Sequence, residues 1–299
     1  MSQQTQGRVI AAHGRHYTVE LPDQTLLKCY PRGKKNEAAV GDYVEITRQG
    51  QDEGALESIQ PRKNLLFRSD ESRSKQFAAN VDQLLIVIAV EPAFSDDLLG
   101  RALAGAWSAD ITPIILLNKV DLIEGLPAAQ LKLAPFRKLG VQVIELCARD
   151  TDSVNAVVLP LLKGKTSLLL GQSAMGKSTL LNTLVPLALA ATQTHSVALG
   201  AGKHTTTSTR LYHLPEDGGD LIDSPGFQGF GLLHLSREEI ERGFPEFTEH
   251  ISQCRFYNCT HQHEPGCGVL AALARQEIDA ARHALYVRLL EAKTAHESY

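Results

Sequence analysis

The rhythm of hydrophobic and polar positions changes twice along this chain. Up to Leu65 it is short and alternating. Arg8–Leu21 alternates loosely, Thr25–Tyr30 forms a second run, and Gly41-Asp42 leads into a third, Tyr43-Val44-Glu45-Ile46. Gly, Asp and Pro interrupt at short intervals and no helical period develops, which predicts a small β-barrel of SH3 or OB type. The polar stretch Arg68–Lys75 reads as a linker or a mobile loop.

From Asp82 the apolar residues bunch instead of alternating. Leu84–Val90, Ile114–Leu117, Val141–Leu146 and Ser167–Leu170 are continuous runs bounded by polar residues, as expected of strands buried on both faces. Between them, Asp96–Ser108 and Ala128–Leu139 read as helices. Alternation of strand and helix predicts a parallel α/β sheet. Arg210–Leu214 and Asp220–Ile222, joined by Pro215-Glu216-Asp217-Gly218-Gly219, predict an antiparallel hairpin at its edge. After residue 235 the pattern turns helical. Ser236 followed three residues on by Glu239 is a capping box. Leu270, Leu273, Ile278, Ala281, Leu285 and Leu289 follow one face of a long terminal helix.

Composition adds mostly exclusions. The chain has 299 residues, 43% of them hydrophobic and 21% charged, which is ordinary globular usage and predicts two or three domains. Its longest central apolar run is too short for a membrane span. The first residues lack the apolar stretch of a signal peptide. Five cysteines, unevenly placed, do not make a disulfide framework. The expectation is a cytoplasmic protein with reduced thiols and no membrane partner. The formal net charge is −4 and no region is strongly basic, so composition alone points to no nucleic acid. The basic cluster Lys28–Lys35 reads as a solvated turn.

The motifs say more. Gly171-Gln172-Ser173-Ala174-Met175-Gly176-Lys177-Ser178 matches GxxxxGK[ST], after one predicted strand and at the start of the helix-like Lys177–Leu184. Backbone N–H groups of such a loop wrap phosphates, with Lys177 reaching the β/γ oxygens and Ser178 a ligand for Mg²⁺. Asn118-Lys119-Val120-Asp121 closes another strand. An Asp carboxylate there can accept from both N1–H and N2–H₂ of guanine, a pair of donors that adenine lacks. Asp223-Ser224-Pro225-Gly226 matches DxxG, with Asp223 toward Mg²⁺ through water and the Gly226 N–H toward the γ-phosphate. In Lys203-His204-Thr205-Thr206-Thr207, one of the three threonines is a candidate Mg²⁺ ligand; which one is left open. Cys147-Ala148 sits where GTPases place a loop behind guanine.

The order of the motifs is unusual. GTPases ordinarily run phosphate loop, Thr, DxxG, NKxD; here NKxD comes first. The same sheet forms if the old termini are joined and the chain is reopened between DxxG and NKxD, a circular permutation. The second switch then runs directly into the C-terminal region. Where Ras-like GTPases carry a water-orienting glutamine after the DxxG glycine, this chain has Phe227 and then Gln228. His204 is the candidate replacement, since an imidazole can orient water and titrates near neutrality. Cys254-x4-Cys259-x-His261-x5-Cys267 supplies three thiolates and one imidazole, a set for one tetrahedral Zn²⁺, with His263 as a competing ligand.

NKVD, GQSAMGKST, KHTTT, DSPGF and the Cys/His run together resemble the RsgA family of circularly permuted bacterial GTPases, over essentially the whole chain. The resemblance implies an OB-type barrel at 1–66 that binds RNA, a permuted P-loop GTPase domain at 67–235 and a helical zinc-binding domain at 236–299. It implies a monomeric GTP hydrolase that binds the 30S subunit and its 16S rRNA, acts in late subunit maturation and is stimulated by the subunit. Asn118, Lys119, Val120 and Asp121, then Gly171, Gln172, Ser173, Ala174, Met175, Gly176, Lys177, Ser178 and Thr179, then Asp223 and Gly226, would hold GTP or GDP with Mg²⁺. Cys254, Cys259, His261 and Cys267 would hold zinc. The family's loop often reads Gly-Val where Ala174-Met175 stand, at a position that calls for positive φ. The alternatives are a GTP-dependent switch, or a zinc-containing RNA-binding adaptor with a vestigial nucleotide site, at another RNA–protein complex.

Overall fold

The computed structural model describes residues 4–32, 37–69, 74–186, 209–224, 232 and 234–297. The chain begins with β1 (Gln4–Ala12), β2 (Tyr17–Glu20), β3 (Leu26–Pro31), β4 (Tyr43–Arg48) and β5 (Glu53–Ile59). They pair in the order β1-β2-β3-β5-β4, and β4 returns to β1, closing a barrel. β3 and β5 are parallel and the other pairs antiparallel. Val9, Val19, Leu27, Val44, Ile46 and Leu56 fill it. Arg8–Leu21 is thus two strands; the break comes at His13–His16, where Gly14 takes a φ of 76°. Alternation alone does not reveal β5, whose first half, Glu-Gly-Ala, lacks β-branched residues.

β6 (Leu65–Ser69) and β7 (Ser74–Ala79) form an antiparallel hairpin. Arg68–Lys75 is therefore not simply a linker: its ends pair with each other, Arg68 with Lys75 and Ser69 with Ser74. The hairpin is fastened to the barrel by a bridge between Val40 and Ala78. Gly41 lies here at a φ of 97°, where a Cβ would stand 2.2 Å from the Ala79 carbonyl oxygen.

The second layer is the predicted α/β sheet. β8 (Gln83–Ala89), β9 (Thr112–Asn118), β10 (Gln142–Glu145), β11 (Thr166–Gly171) and β13 (Asp220–Asp223) are parallel in the order β10-β9-β8-β11-β13. β12 (Arg210–His213) adds antiparallel to β13. Every residue of β8 and β11 is buried, as their unbroken apolar runs predict. The helices are α1 (Asp96–Ser108), α2 (Leu126–Lys138), α3 (Thr151–Leu162) and α4 (Lys177–Leu184). α3 escaped the sequence reading because Pro160 interrupts its apolar half; Asp150 caps it by accepting from the Ser153 N–H. At the edge, Ala11 of β1 pairs with Arg210 of β12, so barrel and sheet are continuous.

The C-terminal region has its own core around Phe244, Phe247 and Tyr286. It is built from α5 (Arg237–Arg242), α6 (Thr248–Ile251), α7 (Gly268–Ala274) and α8 (Ala280–Glu297). The capping box of Ser236 and Glu239 forms in both directions. The single long terminal helix is corrected to two. Gln276 takes a left-handed φ of 61°, and Asp279 restarts the chain by accepting from the N–H groups of Ala281 and Arg282. Periodicity runs through the break because both helices face one core. Arg282 ties that core to α1: it is buried against Glu246 and stacks on Trp107 and Phe244. No helix among the described residues is long and apolar enough to cross a membrane.

Candidate functional site

The parallel strands β10, β9, β8, β11 and β13 end on one side of the sheet, and the loops that follow β10, β9, β8 and β11 meet there. Crevices at such carboxyl ends are where open α/β sheets bind ligands. β11 delivers the phosphate loop and α4, whose N-terminus faces the same space. Ala174 has a φ of 65°, so the position expected to need positive φ does, and a non-glycine residue fills it. Gly176 caps α4 at a φ of 92°.

Asn118 closes β9 and is buried. Its Nδ2 donates to the Met175 carbonyl of the phosphate loop at 2.8 Å. Its Oδ1 accepts from the N–H groups of Lys119 and Ala148, both at 2.8 Å. One amide thus joins three loops, and the assignment of Cys147-Ala148 to the site gains a physical reason. The Asn118 amide still has a second Nδ2–H to give, since only one is used by Met175; Asp121 stands exposed beside it. Lys119 is left-handed at a φ of 61°, and its Nζ donates to the Glu91 carbonyl at 2.6 Å. Ser95, the cap of α1, donates its N–H to Gln172 Oε1 at 3.2 Å. The Glu91–Ser95 loop was missed from sequence. The available signal was its place directly after β8, the strand next to β11.

Lys177 Nζ pairs with Asp223 Oδ1 across the loop, with both side chains largely buried. The other oxygen, Asp223 Oδ2, is buried without a protein partner. A buried carboxylate oxygen left unpaired suits a metal-bound water, so the residues fit Mg²⁺. Ser178 and Thr179 open α4 and are exposed to the same space. His204, Thr205, Thr206, Thr207, Gly226, Phe227 and Gln228 lie outside the described residues.

Far from that crevice, Cys254, Cys259, His261 and Cys267 bring their ligand atoms within 4.8 Å of one another. Tetrahedral zinc sets sulfur–sulfur edges of about 3.8 Å and sulfur–nitrogen edges of about 3.5 Å. Cys254 and Cys267 Sγ are 3.9 Å apart, and His261 Nδ1 is 3.6 and 3.4 Å from them. The Gly268 N–H donates to Cys254 Sγ and the Leu270 N–H to Cys267 Sγ, as suits thiolates. Without a cation beside them, burial pushes the Cys259 thiol up to about 12 and raises Cys267 as well; a bound metal ion favours the thiolate form. His263 is exposed and outside the cluster.

A third polar cluster spans the barrel and the sheet. His213 of β12 contacts Asp220 of β13 at 2.6 Å and Glu20 of β2 at 2.5 Å. Arg8 of β1 pairs with Asp220 and donates to Thr166. The hydrogen bond to Asp220 raises the His213 pKa to about 9, against the effect of burial and with help from Glu20.

Comparison with known proteins places these sites in a family. A family model described as RsgA GTPase matches residues 59–233. A relative from Bordetella pertussis (strain Tohama I), called small ribosomal subunit biogenesis GTPase RsgA, is 69% identical over 298 residues, covering 100% of this chain and 99% of its own. One of the same description from Burkholderia pseudomallei (strain K96243) is 56% identical over 290 residues, covering 96% and 92%. Among solved structures, YloQ, described as a circularly permuted GTPase, matches with a TM-score of 0.71 at 30% identity, covering 98% of this chain and 96% of that one. YjeQ from Thermotoga maritima matches with a TM-score of 0.73 at 28% identity, covering 98% and 99%.

Proposed function

The chain belongs to the RsgA GTPase family and is a GTP-hydrolysing enzyme, and from that premise we propose that it binds the small ribosomal subunit through 16S rRNA, acts late in subunit maturation, and hydrolyses GTP faster on the subunit. The observation that carries the reading is the Asn118 junction. It gathers an NKxD loop, a phosphate loop and the Ala148 loop at one end of a permuted sheet.

In this reading Asp121 accepts from guanine, Asn118, Lys119 and Val120 border the base, and Gly171 through Gly176 offer N–H groups to the phosphates. Lys177 lies on the phosphate oxygens. Thr179 belongs to the nucleotide-binding loop, while Ser178 directly and Asp223 through water would hold Mg²⁺, which when bound neutralises charge on the transferred phosphoryl group. Gly226 meets the γ-phosphate and His204 orients the attacking water. Cys254, Cys259, His261 and Cys267 hold one Zn²⁺ as a structural staple.

The domains are 1–66, 67–235 and 236–299, a division supported by three apolar clusters, with Ile10, Val40 and Leu66 packing into the central one and Ala104 and Leu232 into the C-terminal one. The barrel presents the RNA-binding surface. His13 stacks on His16 with ring centroids 4.8 Å apart, His16 lies 5.9 Å from Tyr30, and Lys28 Nζ stands 5.2 Å over that tyrosine. Aromatic rings interleaved with cations are the usual platform for unpaired bases. The protein works as a cytoplasmic monomer. The test is the GTP hydrolysis rate with and without purified 30S, alongside GTP-dependent co-sedimentation with 30S and 50S. A rate indifferent to 30S, or preferential binding to 50S, overturns the proposal.

A further inference from the structure

The C-terminal centre is reached by a residue that is not among its ligands. His261 turns Nδ1 toward the sulfurs of Cys254 and Cys267. Its other nitrogen, Nε2, lies 3.1 Å from Oε2 of Glu241 on α5. An ionised carboxylate accepts and cannot donate, so Nε2 carries the proton and Nδ1 presents its lone pair to the thiolates. We propose that Glu241 is the positioning residue of the zinc centre: it fixes the tautomer and ring orientation of His261 and makes α5 part of the metal site. This rests on the reading that zinc occupies the Cys/His cluster.

Neighbouring contacts hold the arrangement. His261 has a left-handed φ of 58°, and its carbonyl accepts from Nε2 of the buried His283 at 2.7 Å. Arg237, one turn before Glu241 on α5, donates to the carbonyls of Asn258 and Cys259 in the metal loop. α5 therefore grips the loop at two places. The same helix is fastened to α1, where Ser108 Oγ donates to the Glu239 carbonyl at 2.6 Å. A Cβ on Gly243, just past α5, would lie 2.7 Å from the Ala104 oxygen. The other end of α1 touches the phosphate loop through Ser95 and Gln172. The metal centre is thus attached through Glu241 to the helix that borders the nucleotide site.

Carboxylates that hold a ligating imidazole by its distal N–H raise its basicity, and their loss costs roughly 10- to 100-fold in metal affinity. The test compares the full-length protein with Glu241→Gln, Glu241→Ala and the exposed control Glu249→Gln. Zinc content is measured first, then the rate of zinc transfer to excess chelator, then the absorption spectrum of the cobalt-loaded protein. The expected result is one zinc in wild type and control, release faster by roughly 10-fold or more in both Glu241 variants, and a changed cobalt ligand-field spectrum. Release and cobalt spectra matching wild type, even with a lowered melting temperature, would make Glu241 merely structural and overturn the inference. A wild-type protein that holds no zinc overturns the underlying reading instead.

Discussion

A Cβ on Gly176 would stand 2.1 Å from Nδ2 of Asn118, the atom that donates to the Met175 carbonyl. The glycine is needed there twice over, for its left-handed φ of 92° and for the space the asparagine amide fills. Gly176→Ala must expel Asn118 and release its three hydrogen bonds. At about 1 kcal/mol each, GTP binding should weaken by roughly 100-fold. Titration with a fluorescent GTP analogue measures it. Binding within threefold of wild type would mean that the junction does not organise the site.

Asp121 is predicted to choose the base. Asp121→Asn places an amide where two donors need one acceptor group, and should shift preference from guanosine to xanthosine nucleotides by on the order of 10³-fold. Competition between the two triphosphates reads this directly. Unchanged GTP preference would remove Asp121 from the base site.

How much of this was legible in the sequence depends on how far apart the interacting residues lie. The phosphate loop, the central strands and the Cys/His cluster are written in contiguous or closely spaced residues, and they fold as the spacing implies. Even the strain at Ala174 could be anticipated, because the loop type demands it. The NKxD spacing marks Asn118, but not the bonds its amide also makes to Met175 and Ala148, 57 and 30 residues away. Glu241 carries no local signal, because its partner His261 is 20 residues on. The broken terminal helix was hidden for the opposite reason. Both halves bury the same face, so the period survives a local interruption at Gln276.

His213 makes the joint between barrel and sheet sensitive to pH. Its folded pKa, about 9, lies above its ordinary 6.5, so its contribution is fully present below pH 6.5 and is lost as pH rises through about 9. The side chain is 51% exposed, so solvent screening leaves only a fraction of what the shift alone implies. The melting temperature of wild type should fall more between pH 6.5 and 9.5 than that of His213→Gln. Calorimetry of both proteins across that range decides it; parallel curves would show that His213 adds nothing.

Removing one sulfur should separate the metal from the nucleotide. Cys254→Ser is expected to lose zinc and to destabilise the region around Phe244, Phe247 and Tyr286, while GTP binding persists. Metal analysis and nucleotide titration on the same sample test both halves. Retained zinc would take Cys254 out of the ligand set.

His204→Ala should leave GTP and 30S binding intact and abolish the stimulated rate, because Phe227, directly after the DxxG glycine, cannot orient water as a glutamine does. A stimulated rate within about threefold of wild type, under 1 kcal/mol in barrier, would exclude the histidine from that role.

The pairing of Ala11 with Arg210 gives the barrel a protective duty besides any recognition it performs. Without β1, strand β12 would be the open, antiparallel border of the α/β sheet, its backbone groups free to recruit the same border of another molecule. A chain shortened to the catalytic portion therefore trades away its guard against self-association. Its handling in solution, more than its chemistry, would reveal what the first strand had been shielding.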